Sequence, residues 1–255
     1  NQNNHNDDRW NQGDTGEHFA HVVKGKGLNV EKGICVKLGN GHELSACFDP
    51  QSLSYRAVWQ EGWVKFQPFR WGSSRGANID GKTWFTMPKA EMPKRGEYLG
   101  LHRFGKRVVF EYAIGDTKIM DEPWAGKNAF YRRIDLQNSA EKISIPCRVL
   151  DAALKVKIIE SKGIQKAGWQ KGEIVVNKST ANAYFIMRIS KEQKPDDEKL
   201  VLAHLNAERK KEKRWKEVLK APGKLGKLNS SHYVVDTLSV PYENPYKTVM
   251  QLTSM

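Results

Sequence analysis

The chain has 255 residues, enough for one large core or two smaller ones, and a hydrophobic fraction of 39 % excludes global disorder. With 42 Lys and Arg against 29 Asp and Glu, the formal charge is +13. Such an excess concentrates anions at the surface: acidic glycan, acidic protein, anionic lipid or nucleic acid are the partner classes, and solubility alone is the plain alternative.

No apolar run approaches the ~18–20 residues that cross a bilayer as a helix, so no membrane span is expected. The first ten residues lack an apolar h-region, so no signal peptide is expected at Asn1. An Asn/Gln-rich start without Met reads as a mature or trimmed end.

In chain order, residues 1–17 read as a polar N-terminal arm tied down by Trp10. Residues 18–192 are dominated by period-two alternation and predict a β-sandwich domain. Its strongest element is a hairpin, 33–38 and 43–48, around Gly39-Asn40-Gly41. Asp49-Pro50 ends it, and strands follow at 55–59 and 63–66. Residues 68–97 are rich in Pro, Gly and Ser and read as one long decorated loop. Strands resume at 98–103, 107–114, 117–121, 129–136, 142–149, 154–160, 173–177 and 183–189.

Near residue 195 the period changes. Pro195-Asp196-Asp197-Glu198 is a helix start, with acids near the positive dipole end, and the pattern predicts a helix to about Lys220. Residues 193–222 are therefore assigned to a helix packed on the sandwich, and 223–255 to a linker with a C-terminal strand and strap. The expected fold is mainly β: an antiparallel two-sheet sandwich of supersandwich type with one long late α-helix.

Catalytic templates are absent: there is no G-x-S-x-G, no H-E-x-x-H and no Walker loop. Seven His are scattered. His18 and His21 have no third ligand nearby, so no metal site and no cofactor is expected in this chain. A carboxylate pair for glycoside hydrolysis would come from distant segments and leaves no local signature.

Of the cysteines Cys35, Cys47 and Cys147, none forms C-x-x-C. Cys35 and Cys47 face each other, as a candidate disulfide, if the hairpin loop has three residues, and lie on opposite faces if it has two. The other reading is three buried thiols.

The stretch 59–85 gathers Trp59, Trp63, Trp71, Trp84, Phe66, Phe69 and Phe85 around Arg70 and Arg75. Aromatic plates beside guanidinium groups suit sugars bearing carboxylate or sulfate, and also unstacked bases. Trp63, Trp71, Trp84, Arg70 and Arg75 are thus the candidate ligand-binding residues, the alternative being that these aromatics build the core. The basic run 209–214 is interleaved with Glu208, Glu212 and Glu217 and reads as a solvated helical brace. No nucleic-acid reading motif is present, so that partner class is not expected.

Several motifs resemble a domain of unknown function found in large exported bacterial proteins. They are Trp10 with Asp14-Thr15-Gly16, the hairpin ICVKL with ACFDPQSLSYRAVWQEGW, the stretch YLGLHRFGKRVVFEYAIGDTKIMDEP and the ending HYVVDTLSVPYENPY. In those proteins the domain precedes a glucose/sorbosone dehydrogenase-like propeller, often with a c-type haem domain. Glu61-Gly62-Trp63 departs from the family's Gly-Gly-aromatic step, and the chain ends at Met255, where the propeller would begin.

The resemblance implies an extracytoplasmic (periplasmic or secreted) location. It also implies a link to carbohydrate or electron-transfer systems. With the basic charge and the aromatic and Arg stretch, the expected role is a non-catalytic accessory module that binds an acidic polysaccharide or docks a propeller or c-type cytochrome partner. A structural subunit of an exported assembly and a carbohydrate-active enzyme are the alternatives.

Overall fold

In a computed structural model of the chain, the described residues are 8–69, 71–137, 139, 141–191, 195–213, 217–227, 233–241 and 244–246. A short helix α1 (Arg9–Gln12) is followed by β1 (His18–Gly25), β2 (Leu28–Leu38), β3 (Leu44–Asp49), β4 (Ser54–Gln60) and β5 (Val64–Lys65). A 3-10 turn at Gly72–Arg75 leads to β6 (Ala77–Ile79) and β7 (Lys82–Thr86). Then come β8 (Gly96–Phe104), β9 (Arg107–Ile114), β10 (Thr117–Gly126), β11 (Ala129–Gln137) and β12 (Ile143–Pro146). The series continues with β13 (Lys155–Ile164), β14 (Ala167–Gln170), β15 (Glu173–Val176) and β16 (Ser179–Ser190). Helix α2 (Glu198–Asn206) and a two-stranded pair, β17 (Gly223–Lys224) with β18 (Thr237–Leu238), complete the described elements.

The first seven strands form one sheet in the order β5-β6-β1-β2-β3-β4-β7, and a six-stranded sheet has the order β13-β16-β11-β10-β9-β8. A small third sheet is β12-β15-β14. The main core lies between the two large sheets: Ile34, Val36, Phe48 and Val58 from one face Phe110, Ile119, Phe130 and Phe185 from the other. The mainly β, face-to-face arrangement expected from the alternation is therefore present.

The seven-stranded sheet has a second core on its other face, made of Val23, Val30, Cys35, Cys47, Ala57, Trp59, Phe66 and Ala77. Both faces of β3 and β4 are covered, so β3 is buried throughout and β4 up to Gln60. The curl that encloses this core follows from chain length. β6 and β7 lie five strand positions apart in the order but are joined by Asp80-Gly81 alone. A flat sheet would separate them by about 24 Å, whereas the link reaches only about 11 Å. The sheet must bend until its two ends approach.

In β4 a bulge between the pairs Cys47↔Ala57 and Phe48↔Tyr55 leaves Arg56 unpaired in the ladder. Tyr55 then joins the main core while Ala57 and Trp59 join the second. Arg56 donates instead to Met87 O (3.1 Å) and to Asp49 (3.4 Å).

The main core also holds ions. Arg132 and Asp121 are both fully buried. Arg132 donates to Asp121 through Nε (3.2 Å) and Nη2 (2.5 Å). Tyr112 OH (2.9 Å) and Tyr55 OH (3.4 Å), the latter from the opposite sheet, donate to the same carboxylate. Burial and the Asp121 charge hold both phenols well above their ordinary pKa.

Two sequence expectations change. The stretch 68–97 is not one loop: it contains the 3-10 turn, β6 and β7, because 83–86 are strand formers, of which Thr83, Phe85 and Thr86 pair with β4 around an irregularity at Trp84. The helix is nine residues long and stops at Asn206; residues 207–213 and 217–220 are not helical. Arg side chains take its last carbonyls. Arg107 donates to Leu205 O (3.3 Å) and Ala207 O (2.9 Å), and Arg133 to Leu205 O (3.2 Å). Val201 and Leu205 pack on Trp124, Tyr131 and Ile186, so α2 covers the outer face of the six-stranded sheet.

Candidate ligand-binding groove

Of the five aromatic and Arg positions singled out by the sequence, the four described ones do not form one site. Trp63 is half-buried over the second core, donating to Thr15 Oγ1 (2.8 Å) and stacked on Trp59. Trp84 packs against the main core beside Phe85. Among the four described, Trp71 and Arg75 share an exposed turn, with Trp71 61 % exposed and the Arg75 guanidinium 6.0 Å from the Phe69 ring. That turn is braced from below. Trp10 Nε1 donates to Phe69 O (3.1 Å), Asn11 brackets the Phe66 backbone, and Lys24 Nζ donates to Arg75 O (2.8 Å). Arg70 lies outside the described residues.

A groove of about 730 Å³ runs between residues 89–94 and the small sheet. Its walls carry Lys89, Lys94, Lys142, Arg148 and Lys171 against Glu91 and Glu173. The local backbone explains how the cations converge. The turn from β14 to β15 places Lys171 (φ 48°) and Gly172 (φ 86°) in left-handed conformation. Gly172 O accepts from Cys147 N (2.9 Å), and a Cβ on Gly172 would meet Arg148 Cγ at 2.9 Å. Glycine there lets the Arg148 side chain lie across the turn. The opposite wall is extended by Pro88 and Pro93 and closed where Gly96 N donates to Pro93 O (2.7 Å).

No motif marked these cations, because they come from three separate segments of the chain, around 89–94, 142–148 and 171. The one sequence signal was the basic excess.

A second cleft of about 580 Å³ opens between α2 and the turns after β2 and β4. Glu43, Glu61 and Asp197 line it with Trp124 and His204, whose rings stack at 4.0 Å. Asp197 Oδ2 accepts from Lys127 N (2.6 Å), and Glu43 Oε1 from Gly41 N (3.0 Å). Burial, helped by the nearby Arg107 charge, lowers the His204 pKa from 6.5, so the imidazole is neutral at pH 7.

Cys35 and Cys47 are direct cross-strand partners, because the hairpin loop spans residues 39–43, an odd number that keeps them on one face. Both thiols are free and buried, as is Cys147. Among the described residues, no three His, Cys, Asp or Glu side chains cluster to hold a metal ion. No helix among them is long and apolar enough to cross a membrane.

No curated protein and no solved structure matches the chain. Residues 46–121, under a third of the sequence, match the model of a domain of unknown function, DUF6797. The matched stretch runs from β3 into β10 and so takes in the β4 bulge, the Trp71–Arg75 turn, one wall of the basic groove and, at its last residue, the buried Asp121. Over that stretch the chain is similar to a family that carries no assigned activity.

Proposed function

We propose that this chain is a non-catalytic extracytoplasmic accessory module that binds an acidic polysaccharide along the groove beside the small sheet. Five cations facing two carboxylates around one open groove carry the reading. Uronic carboxylates and sulfate esters repeat along a polymer, and a row of Lys with one planar Arg matches such repeats. The open groove suits a chain passing through it better than a small molecule enclosed by it. The net charge of +13 would steer a polyanion toward the protein. Docking to a propeller or c-type haem domain is the partner role suggested by the resemblance in the sequence.

Affinity electrophoresis through gels containing sulfated, uronic or neutral polysaccharide tests this at low salt. Retardation is expected in the acidic gels only, falling as salt is raised. The Lys142→Glu/Arg148→Glu/Lys171→Glu variant should lose at least tenfold in affinity. Wild-type retardation by that folded variant sinks the groove assignment. Trp71→Ala separates the two surfaces: loss there, with the groove variant unaffected, moves the site to the 3-10 turn.

A second reading, a carbohydrate-active enzyme, draws on Glu43, Glu61 and Asp197, which three distant segments bring to one cleft. Release of reducing ends from a polysaccharide panel, abolished by Asp197→Asn, would favour it over the binding module.

A further inference from the structure

Cys35 on β2 and Cys47 on β3 sit opposite each other in register, both with no solvent exposure, at the centre of the second core. Opposed residues of an antiparallel pair have Cα atoms about 4.5–5.5 Å apart, inside the roughly 4.4–6.8 Å span of disulfides. Room for the sulfur comes from Gly33, where a Cβ would meet Cys47 Sγ at 2.8 Å and Val23 Cγ2 at 2.7 Å. Cys147 belongs to the main core on the far side of the sheet, so it offers neither thiol a competing partner.

We propose that Cys35 and Cys47 close into a disulfide when the chain folds under oxidising conditions, pinning the β2–β3 hairpin at the middle of the curled sheet. The oxidant is a disulfide of low molecular weight or of a protein. One cysteine thiolate attacks a sulfur of that disulfide and releases one thiol. The second cysteine thiolate then attacks the mixed disulfide, forms the Cys35–Cys47 bond and releases the other thiol. Two protons and two electrons leave the pair, and the oxidant's sulfurs receive them.

Closure belongs to folding rather than to the finished molecule. Both sulfurs are sealed by the second core, and burial together with the facing Cys47 holds the Cys35 thiol well above its ordinary pKa. Attack needs an accessible sulfur, and the native state buries both. This inference is independent of what the groove binds.

The test is refolding of the full chain from denaturant with a glutathione redox couple or with dithiothreitol. Intact mass and alkylation of the denatured product then follow. Oxidative refolding should yield a monomer about 2 Da lighter, with one of three cysteines alkylated and a peptide map joining Cys35 to Cys47. The Cys147→Ser variant should show the same mass loss. The bridged form should melt roughly 6–12 °C above the reduced one.

Native reduced protein given oxidised glutathione alone should stay reduced for hours. Three alkylated cysteines in the oxidatively refolded monomer, or a bridge through Cys147, overturns the proposal. Fast oxidation of the native protein overturns the timing, and equal melting temperatures overturn the pinning role.

Discussion

Asp121 and Arg132 lie inside the sandwich with no exposure, and the two tyrosines that complete their shell come from both sheets. A buried carboxylate is tolerated because every oxygen is met by charged or phenolic donors. Asp121→Ala leaves a guanidinium and two hydroxyls without that acceptor and is expected to cost about 3–5 kcal/mol. Asp121→Leu with Arg132→Met, which removes both charges, is expected to cost much less; urea midpoints of the two variants check the pair. His42 and His204 have pKa values lowered, mainly by burial. The unfolded chain therefore takes up protons that the folded chain refuses as pH falls below about 6.5. Stability is expected to fall with pH through that range, and His204→Gln should make the dependence shallower in a thermal-melt series.

At the scale of elements, the end of α2 is decided by the sheet beneath it. Glu122 is fully buried on β10 and accepts from Arg107 (2.5 and 2.9 Å) and from Arg209 Nε (2.9 Å). Arg209 also reaches Asp135 on β11 at 2.6 Å. An extended course after Asn206 brings Arg209 down to those acids while Arg107 caps the helix carbonyls. Arg209→Ala leaves Glu122 still paired with Arg107, so the expected loss is about 1.5 kcal/mol, at the low end for charged hydrogen bonds. Hydrogen exchange should rise over 207–213 while β10 and β11 keep their protection; protection lost equally everywhere would contradict this local role.

For the molecule as a whole, the described residues pack in three apolar layers: one inside the curl of the first sheet, one between the two large sheets and one under α2. The basic groove forms where the small sheet meets the 89–94 segment, and the acid-lined cleft forms beneath α2, each bounded by different strands. Gly172 shapes one wall of the groove. Gly172→Ala would force a left-handed residue with a side chain against Arg148. It should cost about 1 kcal/mol or more and reduce polyanion binding, measured by the same electrophoresis, without dissolving the fold.

Much of the strand pattern can be read directly, because a half-buried strand imposes a two-residue period on its own side chains. Ile34, Val36 and Leu38 against Leu44, Ala46 and Phe48, joined through Gly39-Asn40-Gly41, identify the β2–β3 hairpin without any tertiary information. The facing of Cys35 and Cys47 needed the loop length, which turn residues alone leave open between odd and even. β6 and β7 were hidden among prolines and glycines, since strands this short are stabilised by neighbours distant in sequence rather than by their own pattern.

The end of α2 was likewise invisible: 207–213 has helix-forming residues, and Arg107, Glu122 and Asp135 override them from strands some 70–100 residues earlier. Local periodicity determines which segments become strands because it acts through adjacent residues. Loop closure, ion pairing and the convergence of Lys89, Lys142, Arg148 and Lys171 act across the folded surface, and only the packed sheets bring those groups within reach.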